Sequence, residues 1–362
     1  DEGPRTFIER IDIVGNTRTV DRVIRREMQV SEGDAFNRVL LDRSRQGIQG
    51  LGFFNDVKVE DADGSQPDRS VVTVTVEEQS TGEFAFSAGY SSTESFLFDV
   101  SVTERNLRGR GQFLRLRASS SSQRQQLDLR FTEPRFMGRE IAMGFDIYSL
   151  RTDFLDQSSF ENQSTGIGLR TGFRIGERTN LGLTYSLVQD DTEIADVFLD
   201  HDSNILTPEV NQCDPVNLTR PLLCDQEGTF ITSVVGFQVN WDRRNSPVNA
   251  TRGFNLDVSQ DIAGLGGEVN YLRTEIEGGI YYGLPYGFRA SFRGSAGLIS
   301  GWNGDSVRIN DRFFKGGSSF RGFDTAGIGP RQLLVDDVTG EVVQRGDAVG
   351  GNAYAIGTLQ LD

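Results

Sequence analysis

The feature that most limits what this chain can fold into is an alternation with a period of two, running from about Thr81 to Trp302. In "ITSVVGFQVNW", Ile231, Ser233, Val235, Phe237, Val239 and Trp241 fall on one face, and Thr232, Val234, Gly236, Gln238 and Asn240 on the other. In "YLRTEIEGGIYYGL", Leu272, Thr274, Ile276, Ile280 and Tyr282 separate from Arg273, Glu275 and Glu277. "FRASFRGSAGL", "AMGFDIYSL" and "IGLRTGFRI" behave alike. Successive side chains of a strand point to opposite faces, so each stretch reads as a strand with one apolar face. Two architectures accommodate that pattern. A soluble sandwich turns the apolar face inward, whereas a membrane barrel turns it towards lipid and lines its lumen with the polar face.

Loop lengths separate the two. About twelve strands are expected, near residues 82–91, 95–106, 112–120, 124–133, 140–152, 164–176, 180–190, 229–243, 252–262, 269–284, 287–302 and 352–362. One set of connections is mostly tight: 106–111, 134–139, 176–179 and 285–286. The other contains the long ones: 152–163, 190–228 and 303–351. Short turns at one rim and long loops at the other belong to outer-membrane barrels. Tyr90, Tyr148, Trp241, Tyr281, Tyr282 and Trp302 lie near strand ends, as interfacial girdles require. Glycine supplies 42 of the 362 residues and phenylalanine 25, in keeping with a turn-rich β chain. A net charge of −15 argues against nucleic acid as a partner. There is no run of ~20 apolar residues that would make a membrane helix. The fold class is therefore mainly β: an antiparallel transmembrane β-barrel over residues 80–362, preceded by a small α/β module over residues 1–79.

That module has a different period. "FIERIDIVGN" alternates, with Phe7, Glu9, Ile11 and Ile13 against Ile8, Arg10 and Asp12, and ends at Gly15-Asn16. A helix is expected from about Val20, capped by Thr17 or Thr19, with Val20, Val23, Ile24 and Met28 on one face. A second runs from about Phe36 to the Gly50/Gly52 break. "FFNDVKVEDADG" and "RSVVTVTVEEQ" then form a hairpin at Asp63-Gly64. The order is β-α-α-β-β. The module feeds directly into the first barrel strand, so it shares a rim with the short turns. This places it in the periplasm and the long loops outside.

Several residues suggest chemistry. "GGSSFRGFDTAGIGPR" (316–331) sets Arg321 between Phe320 and Phe323, with Gly316, Gly317 and Gly322 free to adopt tight turns. A guanidinium enclosed there needs acidic partners, and Glu275 and Glu277 on the polar face are candidates. Cys213 and Cys224 are the only cysteines, sit in one polar segment and suggest a local disulfide, with unpaired thiols as the alternative. His201 is the sole histidine, so no zinc site is expected. No cofactor is implied. The serines of 119–122 lack a G-x-S-x-G setting, and the acidic segment 190–202 lacks EF-hand spacing. An enzyme is not expected.

Three separated motifs, in order, carry a family resemblance over essentially the whole chain. "IDIVGNTRT" with "LGFFNDVKVE" resembles the last POTRA domain of the BamA family of outer-membrane β-barrel assembly factors. "GGSSFRGFDTAGIGPR" resembles the RGF-containing loop of that superfamily, and "DAVGGNAYAIGTLQL" the strand that returns after it. The resemblance implies a barrel of sixteen strands, of which about twelve are counted here. It marks the chain, which begins Asp1-Glu2-Gly3 and stops at Asp362, as a piece of a longer product. It implies that loop 303–351 folds into the lumen, where Arg321 either pins the loop or takes part in a moving cycle. It also implies that "GEFAFSAG" (Glu83, Phe84, Ala85, Phe86, Ser87, Ala88 and Gly89) is a seam strand that templates incoming strands. The module's edge at Asp56, Val57, Lys58, Val59 and Glu60 would accept an extended client or an accessory lipoprotein. Unfolded outer-membrane protein clients, such lipoproteins and outer-membrane lipid are the implied partners. The alternative within the superfamily is a two-partner secretion translocator that exports one cognate protein.

Overall fold

The computed structural model describes residues 5–91, 94–153, 155, 160–194, 227–317, 319–335 and 342–362. The chain begins with β1 (Phe7–Val14), α1 (Asp21–Arg25), α2 (Arg38–Gly50), β2 (Phe54–Asp63) and β3 (Arg69–Glu78). The three strands form one sheet in the order β1-β3-β2, with β1 parallel and β2 antiparallel to β3. A register shift between Ile8 and Arg10 changes the phase of β1, because a bulge inserts one residue. Ile8 and Ile11 are therefore both buried, where strict alternation put them on opposite faces. They pack with Val23, Ile24, Ile48, Phe54, Val57, Val72 and Val74 in one core.

The first helix is shorter than its pattern suggested. It ends at Arg25, and Val20 precedes it with no side-chain cap. Neither threonine caps it, because both make contacts elsewhere, described below. Met28 still reaches the core from the turn that follows. The second helix has its cap: the Asn37 side chain accepts from the backbone N–H groups of Val39 and Leu40.

Twelve strands follow in a single sheet: β4 (Gly82–Ser91), β5 (Ser95–Leu107), β6 (Gln112–Ser120), β7 (Arg124–Glu133), β8 (Ile141–Asp153), β9 (Phe160–Gly176), β10 (Thr179–Ile194), β11 (Gly228–Asp242), β12 (Arg252–Ala263), β13 (Tyr271–Gly283), β14 (Arg289–Gly301) and β17 (Ala353–Leu361). Their spatial order is their chain order, except that β17 follows β14. The sheet is antiparallel and open, with β4 and β17 as its end strands. Between β14 and β17, β15 (Arg331–Val335) and β16 (Val342–Ala348) pair with each other. The β8–β9 connection is shorter than expected, because β9 begins at Phe160 and pairs with β8 out to Asp153↔Glu161.

Register fixes the two faces. Ile147↔Ile167, Leu169↔Tyr185, Leu183↔Phe237, Val235↔Ile262, Ile262↔Leu272 and Ile280↔Phe292 align their side chains across successive strands. All of these residues are exposed. Each large side chain left in water forgoes roughly 1.5–3 kcal/mol of burial, so a soluble sandwich would not present such a face. A face of this kind fits lipid. Two of the expected girdle aromatics lie on the opposite side. Tyr148 follows the outward Ile147, and Tyr281 precedes the outward Tyr282; strand neighbours cannot share a face.

By contact density the chain divides into two compact units. One comprises Asp1–Ser87, Asp99–Arg117 and Leu129–Pro134; the other comprises Ala88–Phe98, Ala118–Asp128 and Arg135–Asp362.

Candidate functional site

In the second unit, the connection after β14 is seated on the polar face of the sheet. Trp302 opens it and donates from its indole N–H to the Ala263 carbonyl at 2.9 Å. Val307 and Phe313 then pack with Ala263, Val269, Tyr271 and Ile299. Phe313 meets the Tyr354 ring edge-on at 4.8 Å, and the Arg273 guanidinium lies 4.8 Å from the centroid of the Phe313 ring. Gly297 makes the socket possible: a Cβ there would collide with Tyr354 and stand 2.9 Å from the Phe313 ring. The backbone of Phe313 exchanges two hydrogen bonds of 2.9 Å with Gly351. Asn310 donates to Asn162 and Thr192, at 3.0 and 2.9 Å. The Arg308 guanidinium sits 3.4 Å over the Phe230 ring. Asp311, on the same stretch, has its carboxyl enclosed although part of the residue reaches solvent. Enclosure and the nearby Asp190 charge push its pKa up to about 7 against the opposing pull of Arg308 and Arg273.

Glu275 lies in this contact zone, but with partners other than the expected one. It accepts from Arg273 at 2.8 Å and from the Tyr354 hydroxyl at 3.0 Å. Glu277 follows two residues later on the same face. Neither is joined to Arg321, which is exposed and has no ion pair among the described residues. The glycine-rich turn around it is self-contained. Gly316, Gly317 and Gly322 all have positive φ, as the motif suggested. The Gly317 N–H donates to the Phe323 carbonyl at 2.9 Å, and Ser319 bonds back to Gly316. Phe320 and Phe323 pack on each other, ring centroids 5.5 Å apart. Their burial is mutual: Phe323 remains 52% exposed.

The other expected sites are also locatable. In β4, residues 82–90 are exposed, including Phe84, Phe86 and Tyr90. Glu83 pairs with Arg105 of β5 at 2.7 Å. In the POTRA-type sheet β2 is an edge strand, with Val57 buried, Val59 packed on the core, and Asp56 and Lys58 paired at 3.6 Å. Cys213 and Cys224 lie outside the described residues.

One constellation was not foreseen. Glu78, at the end of β3, accepts from the Thr17 hydroxyl (2.8 Å) and the backbone N–H groups of Arg18 (2.9 Å) and Thr19 (2.6 Å). Partial burial raises its pKa, but these hydrogen bonds outweigh that and hold it below the usual carboxylate range. The buried Thr19 hydroxyl also accepts from Asn106 at 2.8 Å, and Val20 N–H donates to the Gly109 carbonyl at 2.9 Å. Asn106 also accepts from Gly111 N–H at 2.7 Å. The only sequence signals were two turn-forming stretches, "GNTRT" and "NLRGRG", far apart in the chain.

Two family models match this arrangement. The Omp85 superfamily domain covers residues 106–361. The chain belongs to the Omp85 superfamily. A POTRA model, described as a surface antigen variable number repeat, covers residues 6–79 of this Omp85 chain. The outer membrane protein assembly factor BamA of Neorickettsia risticii is 29% identical over 357 residues, 98% of this chain and 44% of that protein. The Omp85 chain thus spans less than half the length of that relative. Its fold matches the crystal structure of BamA from Haemophilus ducreyi lacking POTRA domains 1–3, with a TM-score of 0.78 at 21% identity, over all of this chain and 68% of that one. CdiB from Acinetobacter baumannii is less similar: TM-score 0.51, 15% identity, 89% of this chain and 57% of that one.

Proposed function

We propose that this chain is part of a machine that assembles and inserts β-barrel proteins in the bacterial outer membrane, without enzymatic chemistry. The alignment to BamA assembly factors across 98% of the chain carries the reading. In this reading the energy comes from the client. Backbone groups left unpaired in lipid are costly, so each strand that pairs lowers the free energy of the inserting protein. β4 is the templating strand, and its exposed apolar side chains lie at lipid depth. The POTRA-type module stands in the periplasm, and the long connections face outward. Edge strand β2 receives an extended client or an accessory lipoprotein by strand addition; outer-membrane lipid covers the apolar face. Arg321, exposed and without an ion pair among the described residues, is available to acidic groups of the complete protein. The exporting translocator has less support, since its counterpart is the weaker likeness to CdiB.

The test uses the complete protein that contains this chain, reconstituted in liposomes with an unfolded barrel client. A photo-crosslinking residue is placed in turn at Ser87, Gly89, Lys58 and, as a control, Gln238 in mid-sheet. Client adducts at 87 and 89 during insertion, with none at 238, are expected. Insertion that proceeds with no adduct on β4 refutes templating there.

A further inference from the structure

The apolar face of the second unit is not uniform. Towards the short-turn end of β12, β13 and β14 it is hollowed into an open groove of about 780 Å³. Register explains the hollow. Gly278 and Gly294 are cross-strand partners on the outward face, so at their positions the floor is bare backbone. Leu256, Ile276, Ile280 and Phe292 stand around that floor as walls. The groove runs from Tyr282, near the end of β13, inward to Ile276. At the usual rise of a strand this is about 20 Å, a length that suits an extended acyl chain. Its volume is that of a ligand site and not of a gap between two side chains. No acidic residue lines it.

The short-turn end of the groove is cationic. Arg252 lines it, directly across from Tyr282. The Arg243 guanidinium lies 5.5 Å from the Trp241 ring centroid, and Trp241 packs edge-on at 4.9 Å against Phe254, another lining residue. Both arginines are exposed, and neither has an ion pair among the described residues. Their neighbours are neutralised: Arg244 pairs with Asp242 at 2.6 Å, and Arg289 pairs with Asp362. The two uncompensated charges are thus the two beside the groove. We infer that the groove is a binding site for an anionic glycerophospholipid. One acyl chain lies in the groove, and Arg252 and Arg243 hold the phosphate. A guanidinium offers paired N–H donors to phosphate oxygens, and the Trp241 ring keeps Arg243 at the level of the headgroups. Each arginine near an anionic headgroup favours it about fivefold, so the pair selects an anionic lipid over a zwitterionic one. The inference rests on the reading that the apolar face meets lipid. It needs neither the client nor β4.

The test uses the complete protein that contains this chain, in phosphatidylcholine liposomes carrying a trace of phosphatidylglycerol with a diazirine on its acyl chain. After irradiation, peptide mass spectrometry compares adducts in the groove, at 276–282 and 292–296, with adducts at 183–187 and 235–237, a reference region on the same apolar face. Groove adducts should exceed reference adducts at least about fivefold. The same diazirine chain on phosphatidylcholine should label both regions alike. Arg243→Gln combined with Arg252→Gln should lower the phosphatidylglycerol ratio to the phosphatidylcholine value. Arg124→Gln, at the opposite rim, should leave it unchanged. Gly294→Leu should abolish the groove excess with both charges intact, since a Cβ there meets nothing closer than 3.7 Å and the side chain fills the groove. Equal labelling of groove and reference by phosphatidylglycerol overturns the inference and leaves the lipid-facing reading standing. An excess that is the same for both headgroups also overturns it, because the groove then takes any acyl chain. Absence of adducts in both regions refutes the lipid-facing reading, and the inference with it. If the double arginine variant fails to fold, the comparison of the two probes on the parent protein decides alone.

Discussion

Phe313 is the residue on which the seating of the long connection depends most, and Phe313→Ala measures it. The ring is 5% exposed and wedged against Tyr354 over Gly297. Loss of a buried Phe side chain costs about 3–5 kcal/mol, and the edge-on aromatic contact alone accounts for about 0.5–1.5 kcal/mol beyond burial. The two backbone hydrogen bonds to Gly351 survive in alanine, so the loss is confined to the side chain. At about 1.4 kcal/mol per decade, local opening should become roughly 10² to 4 × 10³ times more frequent. Hydrogen exchange across residues 307–314 reads that frequency. Trp302 emission gives an independent signal in a Trp241→Phe background, since Trp302 is hydrogen-bonded to Ala263 where the connection leaves β14. The expected outcome is fast exchange at 307–314, a red-shifted Trp302 and unchanged exchange in β12 and β13. Less than a tenfold change would show that hydrogen bonds, and not the Phe313 wedge, hold the connection. An equal change throughout the sheet would show that the contact stabilises the fold globally.

Three further outcomes follow from the geometry. Asp311 has a folded pKa raised from 3.8 to about 7, so the folded state holds a proton that the unfolded state releases near pH 4. Stability should therefore fall as pH rises from about 4 to 7, by up to roughly 4 kcal/mol, and Asp311→Asn should flatten that slope in thermal unfolding at pH 5 and pH 8. Gly316→Ala places a Cβ against the Asp324 carbonyl at φ +128, so limited proteolysis should cut between 316 and 327 several times faster while the sheet stays intact. Val74→Ala opens a fully buried position in the POTRA-type core and should cost about 2–3 kcal/mol, lowering the midpoint of denaturant unfolding followed by exchange in β1 and β3.

The alternation from Thr81 onward determined a good deal unaided. All twelve strands of the large sheet lie close to where period two placed them, and the β-α-α-β-β order of the module was readable from its changes of period. Alternation is local, since each residue's face follows from its neighbour's, so sequence was enough. A bulge breaks that inheritance, and the one in β1 reversed the expected relation of Ile8 and Ile11. Tyr148 and Tyr281 show the same limit: proximity to a strand end says nothing of which face a residue takes. The glycines of the Arg-Gly-Phe turn were legible because positive φ is a property of single residues. The partners of Glu275 were not. Arg273 is two residues away, but Tyr354 is 79 away and arrives only when β17 pairs with β14. The constellation of Glu78, Thr19 and Asn106 is the extreme case. Glu78, Thr19 and Asn106 are ordinary polar residues in three separate turns or strand ends, and no local pattern distinguishes them. Tertiary structure alone brings them together, because a hydrogen bond depends on position to within a few tenths of an ångström, whereas the sequence pattern specifies only which side of the sheet a residue faces.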